Sequence, residues 1–232
     1  MTRHIDVLDH GYVRLVDVMG SDLSVVNAAR VSFAKESAEF DEQDERLIRF
    51  LAREGHTSPF RHAMATFEAK APLMVARQWW KYVVGSDHTM ESWNEASRRY
   101  VTMEPELYVP ERWRNAPESR KQGSDGAIED DELNSEATAI LRRMIVAGVE
   151  SYEALMAEGI APEQARLCVP AYAMYTAWRW TASLQSVTHF LAQRLADDSQ
   201  WEIQQYARAV YRLIEPEFPV SIRALVKEAD AS

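Results

Sequence analysis

A chain of 232 residues that is 47% hydrophobic is long enough for one large domain, burying roughly 70% of the surface its unfolded form exposes, and a second independent domain is not expected. A net charge of −10 and a pI near 5.2 argue against a nucleic-acid or anionic-membrane surface, because phosphate binding is driven by accumulated positive charge. The single cysteine, Cys168, excludes disulfides and cysteine-based zinc sites; with no apolar leader and no apolar run of about 18 residues, the chain reads as cytoplasmic and soluble.

Ile5 to Val18 holds two strand-like runs, IDVL and YVRLVDV, around Asp9, His10 and Gly11, which predicts an opening hairpin. Asp22 or Ser24 then caps a helix through Ala29, and a second helix fits Asp44 to Glu54 with Gly55 as its stop. From Ala63 to Lys70 the period changes to two, the signature of a half-buried strand, and Pro72 suits the first turn of the next helix. Asn115 to Gly126 is a polar surface loop. A long helix follows over Glu132 to Glu158, and Pro162 opens another. Alternation over Tyr172 to Trp180 predicts a strand, Ser183 caps a helix through Leu195, and Gln200 to Ile214 gives a last one. The class expected is α+β, a single domain over residues 1–232 with an antiparallel sheet and several long helices.

No GxGxxG or GxxxxGK[ST] occurs, and eight glycines leave little material for a backbone phosphate cradle, so a nucleotide here would be held by side chains. In HTSPFRH, residues 56–62, the histidines either satisfy backbone groups at a corner or, with Ser58, present polar groups to a ligand from a loop fixed by Pro59. Their spacing suits no metal site, and no metal is expected anywhere. The stretch RQWWKYVVGSDHTMESWNEASRRY, residues 77–100, combines Ser92, Ser97, Arg98 and Arg99, hydroxyl and guanidinium donors that suit a phosphomonoester. Glu95 beside those arginines also fits a solvated ion pair. Its tryptophans, Trp79 and Trp80 among them, read as packing or a stacking wall. Cys168, between apolar neighbours, reads as a buried, inert thiol. The helix LQSVTHFLAQRL places Gln185, His189 and Arg194 near one face, where they can serve a planar ligand.

Several blocks in order, DVMGSDLSVVNAARVSF (17–33), GHTSPFRHAMATFEAKAPLMVARQW (55–79), SWNEASRRY (92–100), QARLCVP and LADDSQWEIQQYA, resemble the flavin-dependent thymidylate synthases. The resemblance implies the thymidylate synthase-complementing protein fold and a homotetramer with active sites at subunit interfaces. It implies FAD as cofactor, NADPH and methylene-tetrahydrofolate as co-substrates, and transfer of a one-carbon unit to dUMP without a cysteine nucleophile. Matched residue by residue, it places Gln78, Glu95, Ser97, Arg99 and Arg166 on the nucleotide, with Trp79, Trp80, Lys81, Ala96 and Arg98 beside them, and assigns Arg194 the catalytic role of activating the uracil. Ser32, His56, Ser58, Lys81, Glu95, Ser183, Gln185 and His189 fall on the flavin side, with His56 beside the flavin or the folate.

The chain also departs from the family pattern. An Arg-His-Arg triplet is expected where Lys81, Tyr82 and Val83 stand, and about six residues are inserted before Ser92, among them His88, a candidate replacement for the histidine. Ser183, Gln185 and His189 stand where the family commonly has Asn, Arg and Asn, so the cationic grip on the flavin is missing or supplied differently. A synthase with a remodelled flavin loop is the leading expectation. A dUMP-binding regulatory homologue without flavin catalysis and an unrelated metal-dependent nucleotide hydrolase are the competing classes.

Overall fold

The computed structural model describes residues 3–85, 91–96, 106–117 and 123–226. Its frame is one antiparallel sheet of five strands, β1 (His4–Val7), β2 (Gly11–Met19), β3 (Met64–Pro72), β4 (Ser92–Glu95) and β5 (Tyr175–Ser183), in the order β1-β2-β3-β5-β4. The opening hairpin forms as expected and turns through Leu8 to His10. The Tyr206 hydroxyl closes directly over Gly11, where a Cβ would collide with it, so this rung requires glycine.

The structure corrects the bounds of two strands. β3 runs on to Pro72, which ends the strand opposite Tyr175 instead of opening a helix; a proline is tolerated there because the ladder stops. The strand predicted over Tyr172 to Trp180 begins at Tyr175 and continues to Ser183, because Ala171–Ala173 form a single 3-10 turn. β4 lies along β5, where Trp93 stacks on Trp178 with ring centroids 4.8 Å apart.

The helices are α1 (Asp22–Arg30), α2 (Glu42–Arg53), α3 (Leu73–Gly85), α4 (Asp131–Ala157), α5 (Pro162–Ala165), α6 (Leu184–Arg194), α7 (Trp201–Ile214) and α8 (Pro219–Leu225). Neither Asp22 nor Ser24 is the N-cap of α1; that residue is Ser21, whose N–H donates to the Ser24 hydroxyl at 3.0 Å. Asp22 is thereby freed to serve α8. Its buried carboxylate accepts from the N–H groups of Val220 at 2.8 Å and Ser221 at 3.1 Å, a long-range cap invisible to local pattern. α2 starts two residues before Asp44 because Asp41 caps it, accepting from the N–H groups of Gln43 and Asp44; Asp44, fully buried, pairs with Arg30 at 2.6 Å.

α3, α6 and α7 pack on one another and on β2, β3 and β5. Trp79 of α3 sits at the centre of that layer, fully buried, stacked on Phe190 at 4.5 Å and edge-on to Trp178 and Trp180 at 5.2 and 5.5 Å. Such aromatic pairs add about 0.5–1.5 kcal/mol each to the burial of their area. The strands also carry a polar row: Glu68 of β3 accepts from Arg14 on β2 at 2.9 Å, from Arg179 on β5 at 2.8 Å and from Tyr12 at 3.0 Å. These donors, Arg179 foremost, hold the Glu68 carboxyl down to about 2.

Candidate active site

Adjacent residues of α3 point in different directions because each helical step turns by about 100°. Trp79 therefore goes to the core, while Gln78 turns toward the junction of α6 and α7. There its side-chain oxygen accepts from Arg194 Nη1 at 3.4 Å and its nitrogen donates to Gln200. Gln200 in turn donates to Glu202 at 2.7 Å, and Glu202 accepts from the Tyr108 hydroxyl at 3.4 Å. Burial, with the Glu202 charge nearby, pushes the Tyr108 phenol well above its usual range, so it stays a donor.

Arg194, at the end of α6, is held from a second side. Its guanidinium carbon lies 3.9 Å from the centroid of the Tyr82 ring, a close cation–π contact, and the same ring meets His189 at 5.9 Å. Arg194 Nε is buried and has no hydrogen-bond partner among the described residues. The guanidinium is thus fixed by an aromatic face and an amide while one of its donors stays unused. Tyr82 stands where the family pattern has the middle histidine of its triplet. Nothing in the sequence marks that ring as the support of an arginine 112 positions further on.

At the other end of α6, Ser183 is buried and caps the helix, its hydroxyl accepting from the Ser186 N–H at 3.2 Å. Gln185 accepts a hydrogen bond from Arg61 Nε. Arg61 belongs to the short 3-10 segment Ser58–His62, which is seated between α1 and α6 with Pro59 and Phe60 buried beneath it. The two residues are 124 positions apart, so local pattern does not reveal this contact.

The remaining candidates are displayed outward. Ser32, His56 and Ser58 are exposed, and none of their side chains bonds to another candidate among the described residues; the His56 ring packs edge-on to Phe50. Arg166 is exposed, its Nε donating to the Glu163 carbonyl at 3.3 Å. Trp80 and Lys81 are exposed, Glu95 accepts from the Thr176 hydroxyl at 2.8 Å, and the Ala96 N–H donates to Ala177. Cys168 is exposed, contrary to the buried thiol expected from its neighbours. The 3-10 turn Arg166–Cys168 presses its backbone against Gly148 of α4 and turns the side chain to solvent. His88, Ser97, Arg98 and Arg99 lie outside the described residues.

The sequence matches the family model described as thymidylate synthase complementing protein over residues 14–220. It is 42% identical to the flavin-dependent thymidylate synthase of Thermus thermophilus, over 94% of this chain and 76% of that one. To the flavin-dependent thymidylate synthase of Thermosipho africanus it is 37% identical, over 96% and 94% of the two chains. Among solved structures it resembles the UMP/dUMP methylase PolB from Streptomyces cacaoi bound with 5-Br UMP, with a TM-score of 0.78, 29% identity and 95% of each chain covered.

Proposed function

The chain belongs to the thymidylate synthase complementing protein family, that of the flavin-dependent thymidylate synthases, and from that premise we propose that it converts dUMP to dTMP. Methylene-tetrahydrofolate is the one-carbon donor, and FAD, reduced by NADPH, supplies the hydride when bound. The observation that carries this reading is the immobilised Arg194, gripped by Tyr82 and Gln78 with its Nε unused. A guanidinium does not deprotonate in a protein, so Arg194 acts by charge: it stabilises the negative charge that builds on the N3/O4 edge of the uracil as C5 reacts. Gln78 keeps the guanidinium from turning, and Gln200 and Glu202 keep Gln78 from turning.

The residues present fit a flavin. Arg61, tied to Gln185, offers a cation for its phosphates near the start of α6. Further along the same helix His189, with the Tyr82 ring against it, offers flat surfaces for a heterocycle. Ser32, His56 and Ser58 on the flavin side, and Arg166, Lys81, Trp80, Glu95 and Ala96 on the nucleotide side, are read as completing the site across a subunit boundary of a homotetramer. Their exposure supports this, as does an apolar stripe on α4, where Leu133, Ile140 and Met144 recur at helical spacing while 46%, 52% and 60% exposed. No described helix is long and apolar enough to cross a membrane, and a reducing cytoplasm suits the exposed free thiol of Cys168. Purified protein is expected to be yellow and to form dTMP when given dUMP, methylene-tetrahydrofolate and NADPH. Protein that neither binds added FAD nor forms dTMP overturns the reading.

A further inference from the structure

A cavity of about 1020 Å³ opens at the β1 edge of the sheet, the edge opposite β4. Its floor is Ile5, Val7 and Leu8 with Ala209, and its wall is a face of α7 on which Trp201, Gln205, Arg208 and Arg212 recur at spacings of four, three and four residues. Arg112 and Arg114 enter from the segment after Tyr108. Four guanidiniums around one cavity are unexpected in a chain of net charge −10.

Many arginines elsewhere are matched with carboxylates: Arg3, Arg14, Arg30, Arg46, Arg49, Arg53, Arg179 and Arg223 each sit within 4 Å of one. Of the cavity's arginines, Arg112 alone is so paired among the described residues, with Asp131. Arg114 spends its Nε on the Ser124 hydroxyl and lies 5.9 Å over the Trp201 ring; Arg208 and Arg212 form no ion pair among the described residues. Three carboxylates line the same space, but Asp6 is engaged by His4 at 2.9 Å and Asp9 by the Tyr175 hydroxyl at 2.5 Å, and Glu111 forms no ion pair with these arginines among the described residues. The side chains are also pre-set: with its amide turned so that both neighbours are satisfied, Gln205 accepts from Trp201 Nε1 at 3.1 Å and from Arg208 Nη1 at 3.3 Å.

We propose that this cavity, which adjoins the network behind Arg194 at Tyr108 and Leu195 but is not lined by Arg194 or Gln78, is a second small-molecule site that takes a planar ring carrying a multiply charged anionic tail. The exposed Trp201 indole supplies a face for the ring, and the guanidinium forks of Arg114, Arg208 and Arg212 match phosphate or carboxylate oxygens. The volume is that of a ligand of nucleotide size or somewhat larger. Two sources share this chemistry, a nucleoside polyphosphate and a pteridine with a polyglutamate tail.

The test is calorimetric titration of ATP, inorganic tripolyphosphate and a pteroyl-tetraglutamate into the FAD-loaded protein, with and without saturating dUMP. Each is repeated on an Arg208→Ala/Arg212→Ala variant, whose dUMP affinity and dTMP formation are expected to match the wild type. ATP or the pteroyl-tetraglutamate is expected to bind in the presence of dUMP and to weaken about tenfold or more in the double variant, with further loss as salt rises. Whichever of the two shows that arginine-dependent component identifies the source. Binding that dUMP abolishes, binding indifferent to the double variant, or no binding at all overturns the proposal. Tripolyphosphate binding as tightly as ATP overturns it as well, since the ring would then contribute nothing.

Discussion

Two arginines of the candidate site show what one chain completes by itself and what it leaves open. Arg194 is clamped by an aromatic face at 3.9 Å and an amide at 3.4 Å, and the amide is backed by Gln200, Glu202 and Tyr108. Arg166 lies in the open with one bond to a backbone carbonyl. The first is preorganised by the fold of its own subunit, which is what electrostatic stabilisation of a reacting ring requires. The second, like Ser32, His56 and Ser58, is exposed, and under the proposed tetramer it is completed by a neighbouring subunit.

Arg194→Ala removes the completed half of this contrast and carries the largest effect. dTMP formation is expected to fall about 10²–10³-fold while the flavin absorbance of the purified protein is retained, and wild-type turnover in that variant would remove the assigned role. Ile140→Glu with Met144→Glu attacks the open half by charging the α4 stripe. Size-exclusion chromatography is expected to show smaller assemblies, with FAD retention weakened about tenfold or more as the outward-facing residues lose their counterparts. Unchanged assembly would mean that the stripe is not an interface.

Tyr82→Leu sharpens the comparison by making Arg194 more like Arg166. Loss of the cation–π clamp, worth about 1–2 kcal/mol when desolvated, is expected to lower kcat by about five- to thirtyfold with little change in KM for dUMP, and Tyr82→Phe should restore most of it. An effect on KM alone would make Tyr82 a binding residue instead of a support.

The smallest effect on turnover belongs to Glu68, which lies on the sheet away from both arginines. Arg179 and its neighbours lower the Glu68 pKa to about 2, so its contribution to stability is complete above about pH 4.5 and is lost as pH falls toward 2. In urea unfolding, Glu68→Gln is expected to cost about 1–3 kcal/mol near neutrality, and the gap to wild type should close on acidification through that window. dTMP formation at pH 7 should be unaffected. A gap that persists at pH 2 would assign the loss to packing.

Much of the scaffold follows from local pattern. Alternation marks β2, β3 and most of β5, and periodicity with capping residues places α2, α4, α6 and α7 within a few residues of their ends. α8 escapes that pattern because its first turn is met by Asp22, about 200 positions away, whereas the cap of α1 is a local Ser21–Ser24 pair one residue before the one expected. The outward turn of Cys168 escapes it for a similar reason: its apolar neighbours carry no information about the close approach of α4 at Gly148.

The candidate site divides along the same line. Residue types and order alone determined the family, the α+β class, and Gln78 and Arg194 as residues to watch, because these depend on identity at given positions. Only the folded chain decided that Tyr82 faces Arg194, that Arg61 stands beside Gln185, and that the Gln78 amide is fixed by Gln200 and Glu202. Each of these is a contact between elements more than 100 residues apart, or between neighbours oriented by such packing. A periodic pattern reports which face of a helix is buried, but not which side chain of another helix will meet it there.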